Sequence, residues 1–168
     1  VNIGDMLDNG TVMNGKMIES PKSFQVACTV MTQIIAAVAS SQYGGQSVDI
    51  RHLGKYLRKT YDKVYKKRFL GYVEKGLSKE ECHERATEDA IERRQEDLSA
   101  GVQTIQYQIN TLMTTNGQSP FVTIFMYLDK DDEYIEENAM IIEEILKQNI
   151  NHLYARSHYF KNNEFNLK

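Results

Sequence analysis

Two lysines and two polar turns are the residues of this chain best fitted for chemistry. Lys22 follows Ser20 and Pro21 at the predicted start of a helix. There, unpaired backbone N–H groups and the positive end of the helix dipole favour anions. Lys63 lies on a second predicted helix. Two lysines and a helix N-terminus can bind a triphosphate. On residue types alone they read better as ordinary solvated lysines, because a triphosphate site normally carries a denser motif. The segment Ser40-Ser41-Gln42-Tyr43-Gly44-Gly45 can cradle a phosphate or a ribose with its backbone N–H groups. A helix C-cap explains one of its glycines, but not two beside its polar residues. Asn116-Gly117-Gln118-Ser119-Pro120 is a second polar turn before a strand, and a plain helix-to-strand loop accounts for it structurally.

Other reactive residue types form weaker patterns. Asp129, Asp131, Asp132 and Glu133 could hold a divalent metal, but they read first as a helix N-cap with favourable dipole charges. The four histidines, His52, His83, His152 and His158, have no metal-ligand spacing, and no metal site is expected. Cys28 and Cys82 are far apart and belong to no C-x-x-C pair, so neither zinc nor a redox couple is indicated. Cys28 sits among apolar residues as a small hydrophobe, whereas Cys82 sits among charges on a predicted solvated face. The run Glu80 to Asp97 reads as that face, with i,i+4 pairs such as Glu81 with Arg85 and Asp89 with Arg93.

The chain has 168 residues, enough for one domain with a real core. A net charge of −3 implies no general affinity for nucleic acid or membranes. The Ile34 to Ala39 run is too short to cross a bilayer, and Asp5 and Asp8 stand where a signal peptide would be basic. Low cysteine usage suits a reduced, cytoplasmic setting. A start on Val rather than Met leads to the expectation of a piece cut from something longer.

Elements that would position these residues can be read from periodicity and punctuation. Val1 to Leu7 is predicted as a strand and turn, with further turns at Asn9-Gly10 and Asn14-Gly15. A helix follows over about 21–40, with Ser20 as N-cap and Pro21 in its first position. Its apolar run exceeds one face, so it is buried or lies at a subunit interface. Gln46 to Asp49 is a short strand, and Asp49 caps a second helix over about 50–75 that Gly76 ends. Ser78-Lys79-Glu80-Glu81 is a capping box opening a long third helix. Its charged front half is predicted to project into water, while Leu98, Val102, Ile105, Ile109 and Leu112 pack. Asn116-Gly117 ends that helix, and Phe121 to Leu128 suits a strand covered on both faces. Asp131 or Asp132 caps a fourth helix with Ile135, Ala139, Ile142 and Leu146 on one side. Strands separated by long helices indicate α/β with parallel pairing, although the helical share is large for so few strands.

Three blocks give the chain a family resemblance. They are E-x-P-K-S at Glu19 to Ser23, V-A-S-S-Q-Y-G-G at Val38 to Gly45, and N-T-L-M-T-T-N-G-Q-S-P-F-V-T at Asn110 to Thr123. In order and spacing the chain resembles the N-terminal part of the catalytic barrel of anaerobic (class III, glycyl-radical) ribonucleoside-triphosphate reductases. The likeness is good from Val1 to about Leu128 and loose beyond.

The resemblance implies a helix-rich α/β fragment of a ten-stranded barrel made of two parallel half-barrels, with most strands outside residues 1–168 and no complete second domain. It implies an oxidoreductase that reduces ribonucleoside triphosphates to deoxyribonucleotides for DNA replication. The first two helices after the first barrel strand would form a homodimer interface and an allosteric site for ATP and deoxynucleoside triphosphate effectors. Matched by position, Glu19 and Lys22 fall at the start of that site, Ala27 and Gln33 on its buried side, and Lys63 on the phosphates. Ser40, Ser41, Gly44 and Gly45 would line the substrate pocket, with Gln118 and Ser119 entering from the second turn. The family's glycyl radical, thiyl cysteine, formate or thiol reductant, C-terminal zinc and radical-SAM activating enzyme have no matching residues here. A catalytically silent piece is therefore expected. The competing expectation is a helical dimerisation or scaffold module that binds no nucleotide.

Overall fold

The computed structural model describes residues 2–13, 15–41, 44–111 and 121–148, and the backbone of Tyr154–His158. The chain opens with a helix, α1 (Ile3–Asn9), where a strand was predicted. Asn2 accepts a hydrogen bond from the Asp5 N–H and caps it, while buried Leu7 and the partly buried Ile3 and Met6 show helical rather than alternating spacing. A short antiparallel hairpin comes next, β1 (Thr11–Met13) and β2 (Lys16–Ile18), about the predicted turn at Gly15.

Helix α2 (Phe24–Ser41) starts three residues later than predicted, after Ser23 rather than after Ser20. The Ser23 hydroxyl accepts from the Val26 N–H at 3.4 Å. By length and composition α2 is apolar enough to cross a membrane, which the shorter run considered in the sequence did not reveal. Here its buried side, including Phe24, Ala27, Cys28, Met31, Ile34 and Ile35, builds the core. Each large apolar side chain buried there contributes about 1.5–3 kcal/mol.

Strand β3 (Gln46–Asp49) leads into α3 (Arg51–Glu74). The Asp49 carboxylate accepts from the Arg51 N–H at 2.9 Å, and Gly76, at φ 80°, ends the helix as predicted. The capping box is also present: Ser78 and Glu81 exchange backbone-to-side-chain hydrogen bonds of 3.2 Å. It opens α4 (Lys79–Thr111), a helix of 33 residues.

The front half of α4 corrects the sequence reading. It lies against α3, with Cys82, Ala86 and Ala90 fully buried. Small side chains let the two helices approach closely, and they contribute little to an apolar pattern. Asp89 pairs with Arg68 and accepts from the Tyr72 hydroxyl rather than meeting Arg93. Arg93 turns to Glu96 and Asp97 instead.

Strand β4 (Val122–Tyr127) alternates between buried and half-buried residues, so it is less evenly covered than expected. Helix α5 (Ile135–Lys147) has its buried stripe on Glu137, Asn138, Ile141, Ile142, Glu144 and Ile145, leaving Leu146 exposed. Its N-cap is Tyr134, with no side-chain capping bond, so neither Asp131 nor Asp132 caps it as expected. The acidic approach forms turns instead, in which Asp132 accepts from the Tyr134 N–H at 2.8 Å and Asp129 from the Asp131 N–H at 3.1 Å. Arg58 of α3 clamps α5 through two bonds to Glu137, at 2.7 and 2.9 Å.

The sheet order is β3-β4-β5, all parallel, with β5 at Tyr154–His158. Five helices and two small sheets make the described part a helix-rich α/β unit. The predicted parallel pairing is present. The predicted turn at Asn116-Gly117 and the predicted packing of Leu112 lie outside the described residues.

Candidate functional site

The strand–helix geometry brings two of the sequence-predicted lysines together. Ser20, Pro21 and Lys22, just before α2, face Lys59 and Lys63 of α3 across an open cleft of about 450 Å³. That size is in the range of small-ligand sites. Lys59 and Lys63 are one turn apart on the same helix, so both ammonium groups can reach one ligand. Lys59 was missed in the sequence, although its i,i+4 relation to Lys63 was a usable signal. Its ammonium lies 4.7 Å from the ring centroid of Tyr56.

The remaining predicted cleft residues separate. Glu19 is exposed beside Ser20. Ala27 is fully buried in the core and offers nothing to a ligand in this chain. Gln33 is exposed, about 14 Å along α2 from its first residue.

The start of α2 does not act as an anion-binding terminus. Its first N–H groups are all taken within the chain. Phe24 N–H donates to Thr60 Oγ1 at 3.0 Å, Gln25 N–H to Asp97 Oδ2 at 3.4 Å, and Val26 N–H to Ser23 Oγ. Ala27 N–H donates to the Ser23 carbonyl at 3.0 Å. Asp97 is a buried carboxylate that already supplies the negative charge the helix dipole favours. An anion entering the cleft would therefore meet lysine side chains rather than free helix N–H groups.

The second candidate region lies at the other end of α2. Ser40 and Ser41 end the helix, and Gly44 and Gly45 lead directly into β3. Gly44 adopts φ 110°, a conformation that side chains rarely tolerate, and nothing crowds it within 4 Å. Gln46 N–H donates to the Phe121 carbonyl at 2.8 Å, and a Cβ on Gly45 would come within 3.1 Å of the Phe121 ring. Phe121, the residue that follows the second polar motif in sequence, thus lies beside Gly45 and Gln46 at the amino ends of the parallel strands β3 and β4. Gln118 and Ser119 lie outside the described residues.

Neither cysteine suits radical or nucleophilic work at a substrate. Cys28 is fully buried, and burial, with the Asp97 carboxylate adding to it, pushes its thiol well above the usual range. Cys82 is also fully buried, not on the solvated face predicted for it, and its thiol points at the Leu77 carbonyl. Among the described residues no group of three His, Cys, Asp or Glu side chains is arranged to hold a metal.

Comparison with known proteins agrees with the motif resemblance. The profile of a family described as anaerobic ribonucleoside-triphosphate reductase matches residues 1–168. The chain is 36% identical over 127 residues to the anaerobic ribonucleoside-triphosphate reductase of Enterobacteria phage T4, covering 74% of this chain and 19% of that protein. It is 36% identical over 132 residues to the Haemophilus influenzae protein of the same name, covering 73% and 16%. With the Escherichia coli K12 protein it shares 32% identity over 150 residues, covering 89% and 19%. The chain therefore spans less than a fifth of the length of these relatives.

Proposed function

Because the chain belongs to the anaerobic ribonucleoside-triphosphate reductase family, we propose that it carries a deoxynucleoside triphosphate effector site and part of a substrate pocket. The parent protein would reduce ribonucleoside triphosphates by glycyl and thiyl radical chemistry. The radical-bearing groups and any zinc belong to other parts of that protein, since neither Cys28 nor Cys82 suits them.

One observation carries the effector reading: Lys22, just before α2, and Lys59 and Lys63 of α3 line one cleft. Three ammonium groups offset most of the charge of a triphosphate, and each charge-assisted hydrogen bond contributes about 1.5–3 kcal/mol. The exposed Glu19 carboxylate would repel phosphate, so it is suited to accept from a nucleoside hydroxyl or amino group. At the other end of α2, Ser40, Ser41, Gly44 and Gly45 would present backbone to the substrate, and Gln118 and Ser119 would join them as the resemblance implies.

A Lys63→Ala variant of the full-length protein tests this reading. Deoxynucleoside triphosphate affinity is expected to fall about 10- to 100-fold by equilibrium binding. Stability is expected to change by no more than about 0.5 kcal/mol, because Lys63 is exposed. Unchanged affinity would favour the competing reading, in which these helices serve dimerisation alone. That reading has some support in Val26, which leaves half its surface exposed on α2.

A further inference from the structure

A buried polar tie runs directly beneath the cleft. Thr60 Oγ1 accepts from Phe24 N–H at 3.0 Å and donates to Asp97 Oδ2 at 3.1 Å. Asp97 Oδ2 also accepts from Gln25 N–H, and its other oxygen lies 3.6 Å from the Arg93 guanidinium. Thr60 and Asp97 are each only 4% exposed. The tie joins three helices at one point. Its α3 end is one residue from Lys59, and its α2 end is two residues from Lys22.

We propose that Asp97, acting through Thr60, is a positioning residue for this cleft: it sets the distance between the Ser20–Lys22 edge and the Lys59–Lys63 edge. The proposal rests on the effector reading above. Its physical basis is that lysine side chains are flexible and converge on one ligand only if their backbones are held. The Ser20–Lys22 segment lies outside regular secondary structure. The first turn of α2, immediately after it, is moored to α3 and α4 by this tie and to the core by the Phe24 ring. Removing the tie would free the α2 end of the cleft while leaving every lysine present.

The test uses full-length protein carrying Thr60→Val, which keeps the side-chain shape and removes the hydroxyl, and Thr60→Ser, which restores it. Ile141→Val, in the core of α5, serves as a control for general loosening. Dissociation constants are measured for dATP, dGTP and dTTP, with inorganic triphosphate as a phosphate-only probe, alongside thermal unfolding. Thr60→Val is expected to weaken nucleotide and triphosphate binding about tenfold, the lower end of what is lost when a group holding a ligand-binding residue is removed. Thr60→Ser is expected to bind as the parent does, and Ile141→Val to lower the unfolding temperature without changing affinity.

Normal binding by Thr60→Val, with Lys63→Ala defective, would overturn the positioning role and leave the cleft intact. An equal loss in Ile141→Val would also overturn it, since loosening anywhere would then suffice. Normal binding by Lys63→Ala would overturn the effector reading and the positioning role together.

Discussion

The two ends of α2 are built by opposite means. At the cleft end, the first turn is held by side chains that arrive from 36 and 72 residues further along the chain. At the turn end, Ser41 donates back to the Ala37 carbonyl, and the chain passes through two glycines into β3. One end depends on tertiary ties between helices. The other depends on backbone conformation and on the pairing of β3 with β4. About 27 Å of helix separates them. A binding region can thus be hidden in a sequence or plain in it, according to whether its supports are distant or contiguous.

The contrast between the two ends is tested most severely at Phe24. Its ring is fully buried, and its contact with α4 is so close that a Cβ on Gly101 would lie 2.5 Å from it. Phe24→Ala should cost about 3–5 kcal/mol, read by thermal or urea unfolding. If the two ends are independently built, amide exchange should rise at residues 24–26 well before it rises at 45–46. Simultaneous loss of protection at both ends would mean that α2 transmits the damage as one rigid unit.

A smaller effect is expected at the turn. Gly44→Ala forces a side chain into φ 110° but meets no neighbour within 4 Å. The cost should be about 1 kcal/mol from backbone strain alone. Effector binding should be untouched, whereas substrate KM should rise. A change in effector affinity would show that the ends are coupled.

The same division governs how much could be read from the sequence. The capping box at Ser78 and Glu81, the Asp49 cap, the Gly76 stop and strands β3 and β4 are local, and their signals lie within a few residues. The buried front of α4 was not legible, because Cys82, Ala86 and Ala90 pack by being small rather than by being strongly apolar. Asp97 looked like one more charge on a solvated run. Only the fold reveals that it accepts from the Gln25 N–H in the first turn of α2, 72 residues earlier. For the same reason the helix start slipped from Pro21 to Phe24. The true cap is shared among Ser23, Thr60 and Asp97, and two of these are invisible to a local pattern.

The smallest expected effect is one of pH, and it too separates the two ends. Beneath the cleft, Tyr56 donates to Asp8 at 2.8 Å, and Lys55 pairs with the same carboxylate. Burial pulls the Asp8 carboxyl upward, but the hydrogen bonds from Lys55 and Tyr56 outweigh it and hold it below its ordinary value of 3.8. A carboxyl depressed in the folded state contributes stability above that value and loses it as pH falls through the folded value. Asp8 is partly exposed and screened, so the contribution is only a few tenths of a kcal/mol. Tyr56 is the alkaline counterpart. Burial first, and then donation to Asp8, raise its hydroxyl above the ordinary 10.0, so its contribution is lost as pH rises beyond that. Asp8→Asn should therefore flatten the acid limb of the stability profile and lessen Tyr56's share of the alkaline limb. Ser40, Ser41, Gly44 and Gly45 carry no titratable group, so amide exchange around them should not follow either limb. Parallel pH dependence at both ends would show that the Asp8–Tyr56 contact reaches through α2 to the turn.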